Sequence, residues 1–482
     1  MADPAQPDDR HRTDVAPAGD PVDDAPPAEP PAAAAIRRRS PRWIDLVAVL
    51  LLAILAVAAV LPQVARHAPF SALDEATHFD YAFNASQLQI PAAGDHLDPE
   101  VIEYWNCYGN ELAFLPACGA TGEPEEYPLS ALQYNFGHPP VYYFVTGIAA
   151  RALDALTGLD LLEAARAMGA VWLAAGMAVM HLALRRLGVG VVLAASVAAL
   201  SGMWWAVLGA SAIVTNDAPF LLTTALGVLG VAELVRGRHR PWAIALLIAG
   251  AALAAGVKVM NGLPYLGLAG AMVVLALLPQ RWRPWAGRWS LIGIAAGMVA
   301  AVGGVYLLWT RFQGGRGDQD WQNPVSGVNT SDFVGSPFGE WLPTLTRGLD
   351  YVGHSYVTDG AALQPLIQLL AGVVSAVALA AIAIGIAVGR RGSALAVLAM
   401  AALIATAAWP LVVQLQSFLS SGGTEYFAQP SRRYGATVGV LAFAALALIA
   451  ERLRWRAVVV AGCVLVVVGT LVAVLVGELP AP

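Results

Sequence analysis

Asp74-Glu75-Ala76-Thr77-His78-Phe79-Asp80-Tyr81 brings two adjacent carboxylates, a hydroxyl and an imidazole together soon after an apolar run ends. On a helix, Asp74 and His78 share a face at i, i+4, as do Asp74 and Thr77 at i, i+3. A carboxylate so placed can serve as a general base, with its proton affinity tuned by partial burial and by neighbouring charges. The same residues also suit a solvated acidic turn or a helix N-cap, for which Ser71 and Asp74 both qualify.

Three further runs carry comparable chemistry. In Gly137-His138-Pro139-Pro140-Val141-Tyr142-Tyr143 the paired prolines fix an extended entry and start a helix. Its tyrosines suit anchors at headgroup level, whereas His138 is a candidate ligand contact. Thr215-Asn216-Asp217 precedes Pro219, so a capping role and catalytic support are compatible there. The cations are Lys258, the single Lys among 28 basic residues, and Arg432-Arg433, which is followed by Tyr434. Long basic side chains at span ends can snorkel, but Arg also grips a phosphate through a bidentate fork and Lys as a point charge.

The elements that must position these groups are membrane helices. Hydrophobic residues make up 57% of the 482 and charged residues only 13%, against roughly 25% charged in a soluble domain. Apolar runs near the roughly 20 residues that cross a bilayer recur between Arg-bearing breaks. A soluble globule is excluded, the lipid bilayer is the expected environment, and no nucleic-acid partner is expected. By the positive-inside rule, Arg37 to Arg42 put the N-terminus in the cytoplasm. Further cytoplasmic turns carry Arg185-Arg186, Arg236/Arg238/Arg240, Arg281/Arg283/Arg288, Arg390-Arg391 and Arg452/Arg454/Arg456. Alternation predicts about eleven spans, near 43–65, 163–184, 190–210, 215–235, 241–258, 262–279, 288–310, 363–387, 393–415, 433–450 and 457–478. The expected fold class is an all-α polytopic membrane protein with two large outer loops, 66–162 and 311–362, the first of which holds juxtamembrane helices.

Residues 1–36, rich in Pro, Ala and Asp, are expected to form a disordered cytoplasmic tail ahead of a transmembrane domain over 37–482. The segment from Pro139 to Leu156 is expected to lie along or dip into the outer interface, because a span there would turn every later Arg cluster outward. Between Leu73 and Gly137 the first loop has eleven Asp or Glu and no Lys or Arg. Cys107 and Cys118, in the same loop, suggest a local disulfide in an oxidising compartment. A metal site is the lesser reading, since no second pair of ligands accompanies them. Arginine parity thus puts Asp74-Glu75, His138, Asp217, Lys258 and Arg433 at one face, where ionisable groups near membrane depth tend to mark function.

At these residues the sequence resembles the polytopic glycosyltransferases of the GT-C superfamily. Leu73-Asp74-Glu75-Ala76-Thr77-His78-Phe79 resembles the acidic motif of their first outer loop. His138-Pro139-Pro140-Val141-Tyr142-Tyr143 is similar to the segment that closes that loop in mannosyltransferase-like and aminoarabinose-transferase-like members. Asn216-Asp217 falls where many carry an acidic residue, and Gln429-Pro430-Ser431-Arg432-Arg433-Tyr434 looks like the Arg-Tyr step opening a late span in bacterial branches. The resemblance covers motif order and hydropathy from about residue 43 to 450. It implies transfer of a monosaccharide from a polyprenyl-phosphate donor to an envelope glycan, lipid or protein acceptor, with inversion, at the outer face of the plasma membrane.

Under that resemblance Asp74 is the base, while Glu75 and Asp217 position or polarise. His78, His138, Tyr142, Asn216, Lys258, Arg432, Arg433 and Tyr434 are the expected substrate contacts; the phosphate-stabilising role of Lys258 and Arg433 is assigned from charge and side. With the C-terminus outside and no sizeable soluble domain expected after the last span, acceptor recognition falls to the loops, particularly Gln313 to Tyr356. No Asp-x-Asp pair accompanies the motif, so no cofactor is expected; His78 beside Asp74 is where a divalent metal would be sought. Two other classes fit the hydropathy: a lipid or glycolipid flippase, and a non-catalytic partner of an envelope-polymer synthase. Transporters often place ionisable groups near the midplane of repeated halves; here the polar groups gather at span ends and no internal repeat is visible.

Overall fold

A computed structural model describes residues 42–482, apart from 67–68, 72–73, 112, 121, 238–239, 281–284, 319, 322–323, 325–329, 333–363, 391, 422, 428–432 and 478–482. The tail 1–36, Arg432 and most of the loop 311–362 therefore lie outside the described residues. The chain is an all-α multi-pass membrane protein. Its first helix, α1 (Arg42–Val64), is followed by a large loop containing α2 (Glu75–Ser86), α3 (Pro99–Tyr108) and α4 (Val141–Thr157). Then come α5 (Leu161–Arg186), α6 (Val191–Met203), α7 (Trp205–Ala212), α8 (Phe220–Arg236), α9 (Arg240–Val257), α10 (Leu263–Leu277) and α11 (Arg288–Gln313). The last helices are α12 (Gln364–Val388), α13 (Ala394–Ser420), α14 (Arg433–Arg452) and α15 (Arg456–Leu475).

Among the described residues, nine helices are long and apolar enough to cross a membrane, and a bent pair raises this to ten. That pair and the 17-residue α8 bring the count to the eleven expected, and two of the expected spans differ in form. The span expected over 190–210 breaks after Met203, and its halves α6 and α7 meet at 59°. The span expected over 215–235 begins only at Phe220, because Pro219 stands at its N-cap and 213–219 runs as a non-helical turn. That leaves a helix of 17 residues, about 26 Å at 1.5 Å per residue, at the short end of what crosses a bilayer.

Polar residues set the helix ends that matter for the site. The Asp98 carboxylate accepts from Glu100 N at 2.9 Å to start α3, and that of Asp160 accepts from Glu163 N at 2.8 Å to start α5. Gly158, at φ 73°, ends α4 in the left-handed conformation that favours glycine. Helix α4 lays Tyr142, Tyr143, Thr146, Gly147 and Ala150 inward. A methyl group on Gly147 would collide with the carbonyl oxygen of Ala82, so glycine is what allows α4 to press against the α2 backbone.

The loop before α5 is a packed layer with its own core of Phe70, Phe79, Tyr81, Trp105, Tyr142 and Tyr143. A disulfide joins Cys107 at the end of α3 to Cys118. The segment following α11 closes on this layer: Gly317, at φ 70°, bridges Ala93, and Asp318 N donates to Ala93 O at 2.8 Å. Gln313 Nε2 donates to Phe136 O at 2.9 Å, and Trp309 Nε1 to Gly137 O, also at 2.9 Å. Further along, β1 (Thr330–Asp332) pairs antiparallel with β2 (Glu425–Phe427), just ahead of α14.

Candidate active site

Asp74 occupies the N-cap position of α2 at φ 66°, a left-handed conformation that costs a non-glycine residue roughly 1 kcal/mol and that Asp tolerates better than most. Its carboxylate makes no capping hydrogen bond. Instead Tyr134 OH donates to Oδ1 at 2.8 Å, and Arg433 Nη2 approaches Oδ2 at 3.3 Å. The capping reading of Asp74 therefore fails, and the carboxylate faces a cavity. A side-chain exposure of 30%, against 0% for Glu75, makes Asp74 the accessible member of the pair.

Glu75 points the other way. Its Oε1 accepts from Arg166 Nε at 2.8 Å and Val214 N at 2.9 Å; its Oε2 accepts from Arg166 Nη2 at 2.8 Å and Ser71 N at 2.9 Å. This buried fork ties the start of α2 to α5, to the stretch before α2 and to the 213–219 turn. Glu75 therefore acts away from the cavity, by fixing the backbone on which Asp74 stands.

The cations arrive from two other places. After α9 ends at Val257, Lys258 is extended, and a short 3-10 turn over Val259–Gly262 leads into α10, so Lys258 stands at the helix-to-helix junction. Its Nζ donates to Asp217 Oδ1 at 2.7 Å and lies 5.2 Å from the Tyr434 ring centre. Arg433, the first residue of α14, sits between both carboxylates, with Nε 3.9 Å from Asp217 Oδ2. Two cations and two carboxylates thus form one balanced network drawn from α2, the 213–219 turn, the α9–α10 junction and α14.

These groups border a cavity of about 640 Å³, lined among others by Asp74, His78, His138, Lys258, Arg433 and Tyr434. Of the residues singled out in the sequence, those six face it directly. Asp217 sits behind Lys258 and Arg433. Tyr142 does not line the cavity: its hydroxyl accepts from Thr215 N at 3.0 Å and so braces the 213–219 turn. Asn216 is fully buried, outside the lining, and neither of its amide atoms finds a hydrogen-bond partner among the described residues.

Burial drives the pKa of His78 well below its ordinary value, and the charges of His138, Lys258 and Arg433 add to this. His138 is pushed down to about 3 by burial, then by Lys258 and Arg433, with Asp217 opposing. Both rings are therefore neutral near pH 7. They stack with centroids 5.9 Å apart, and His78 Nδ1 shares a hydrogen bond of 2.7 Å with Tyr143 OH. Asp80, two residues beyond His78 on α2, is raised to about 7 by burial even though Asp98 N and the Gln133 side chain donate to it. Among the described residues no three His, Cys, Asp or Glu side chains gather as a metal-binding group.

Sequence reasoning missed Tyr134, Arg166, Tyr306 and Trp309. Trp321 and Arg316, which line the cavity, fall in the 313–356 stretch assigned to acceptor recognition without being singled out there; Arg316 donates to Ile90 O at 2.8 Å. A signal existed for two of them. Arg166 and Arg316 lie at the ends of spans where the positive-inside pattern places no arginine.

No protein-family model matches the sequence, and no curated protein matches it. Among solved structures, the chain is similar to the crystal structure of ArnT from Cupriavidus metallidurans bound to undecaprenyl phosphate. Identity is 16% and the TM-score 0.44, over 85% of this chain and 60% of that one. The chain thus spans about three fifths of the length of that protein. The functional reading rests on the geometry of the site itself.

Proposed function

We propose that this protein is a membrane glycosyltransferase that moves a monosaccharide from a polyprenyl-phosphate donor to a hydroxyl of an envelope glycan, lipid or protein at the outer face of the plasma membrane. One observation carries this reading: a carboxylate released from helix capping shares a cavity with a Lys and an Arg delivered by separate elements. A single displacement uses all of them. The acceptor oxygen forms its bond to the anomeric carbon while the bond from that carbon to the phosphate oxygen breaks, inverting the centre. Asp74 takes the hydroxyl proton, and the negative charge left on the polyprenyl phosphate is met by cations.

The contacts distribute these roles. The Asp74 carboxylate spends one lone pair on Tyr134 and one on Arg433, which leaves acceptor sites for an incoming hydroxyl. Arg433 reaches both carboxylates with a planar fork that matches phosphate oxygens in pairs, and Lys258 adds a point charge beside it. The rings of Tyr306, Trp309 and Trp321 supply apolar surface for a sugar or for the first isoprene units.

The deciding experiment uses purified protein in liposomes with a labelled polyprenyl-phospho-sugar and an envelope-glycan acceptor, comparing wild type with Asp74→Asn. Asn is nearly isosteric and tolerates the left-handed backbone, so the expected loss of 10²-fold or more comes from the missing carboxylate rather than from a disturbed turn. Equal transfer by both proteins removes Asp74 as the base. Label that crosses the bilayer without transfer favours a flippase instead.

A further inference from the structure

Helices α5, α8 and α14 each finish on an arginine at the end away from the site: Arg186, Arg236 and Arg452. With Arg390, between α12 and α13, these side chains line a second cavity of about 470 Å³. Helices α8 and α14 begin beside Asp217 and at Arg433, and their 17 and 20 residues put the two cavities about 26–30 Å apart along the bundle. That separation is close to the thickness of a bilayer's hydrocarbon core. The second cavity therefore sits at headgroup level on the arginine-rich face.

Charge there is unbalanced. Glu233, on α8, lies 3.5 Å from Arg186. Glu451, beside Arg452, accepts from Arg456 Nη2 at 2.7 Å. Four arginines thus rim the cavity, Arg186, Arg390 and Arg452 exposed and Arg236 half-buried, and among the described residues Glu233 is the carboxylate set against one of them, Arg186. Snorkelling and the helix dipole account for an arginine at each C-terminus. Neither requires four arginines from separate elements to converge on one cavity whose walls include Leu395 of α13 and Leu448 of α14.

We propose that this cavity binds the headgroup of an anionic phospholipid, with the phosphate gripped by arginine forks and the acyl chains laid along α13 and α14. The fork geometry of guanidinium matches phosphate oxygens in pairs, and basic pockets between membrane helices attract anionic headgroups. This site is independent of the glycosyl-transfer reading and stands or falls separately from it.

The test uses full-length protein in phosphatidylcholine nanodiscs containing one part in twenty of phosphatidylglycerol, with retained lipid measured by native mass spectrometry. Wild type is expected to retain phosphatidylglycerol at least tenfold above its share of the disc. Arg236→Gln/Arg452→Gln is expected to bring retention back to that share, while Arg288→Gln, at the start of α11, leaves it unchanged. A photoactivatable phosphatidylglycerol should crosslink wild type at the start of α13 and the end of α14, which tests the site even where the double variant does not fold. No enrichment in wild type, or crosslinks mapping elsewhere, would overturn the proposal. So would inorganic phosphate binding in pure phosphatidylcholine discs without phosphatidylglycerol enrichment, since the occupant would then be a soluble phosphate.

Discussion

Replacing Arg166 with Met should be among the most damaging single changes, although Arg166 does not line the cavity. The Glu75 carboxylate is fully buried, and Arg166 is 1% exposed. Losing the guanidinium removes two charge-assisted bonds of 2.8 Å and leaves a buried carboxylate held by Ser71 N and Val214 N. It also removes the cation 5.6 Å from the Phe70 ring. Breaking one side of a buried pair costs about 3–5 kcal/mol, most of it the penalty of the charge left behind. Arg166→Met/Glu75→Gln carries no stranded charge, so it should fall short of the sum of the single changes by about 2 kcal/mol or more. The assay is denaturant unfolding of the purified protein in detergent, followed by tryptophan fluorescence, for the two single variants and the double. Transfer activity measured on the folded fraction should also drop, because the fork fixes both the start of α2 and the turn that carries Asp217. A cost for Arg166→Met below about 1 kcal/mol, or additivity within about 0.5 kcal/mol, would refute this account of the pair.

Other expectations follow from the same contacts. His138 stays neutral in the folded protein down to about pH 3, against 6.5 when unfolded, so the unfolded chain takes up a proton between these values that the folded chain does not. Its contribution is full above pH 6.5 and is lost as pH falls toward 3, at up to about 1.4 kcal/mol per unit. Thermal unfolding should therefore lose less stability on acidification in His138→Asn than in wild type; equal slopes count against the burial argument. Opening the Cys107–Cys118 bridge by Cys107→Ser/Cys118→Ser should cost about 3 kcal/mol, the chain-entropy value for a loop of about a dozen residues, with early proteolysis between 107 and 118 as the readout.

The motifs were legible because a carboxylate beside an apolar span, a His-Pro-Pro step and a span opening on Arg433 each stand out against an apolar background. What Asp74 does with its carboxylate was not legible. That depends on the φ of 66° at Asp74 and on Glu75, rather than Asp74, accepting from Ser71 N. The preference for Glu75 in turn depends on Arg166, which lies 91 residues away on α5. Periodicity carries no record of such a pairing, yet an arginine at the wrong end of a span is a trace of it. The same limit applies to the bend between α6 and α7. Residues 191–212 carry no charge and no proline, and Trp204 carries the break where α5 and α14 leave room for it: Gly439 lets the Trp204 ring lie against α14, and Gly169 lets the Ser211 carbonyl approach α5. Composition announces the crossing of a membrane, whereas close approaches between distant helices decide where a span breaks and which carboxylate is left free to react.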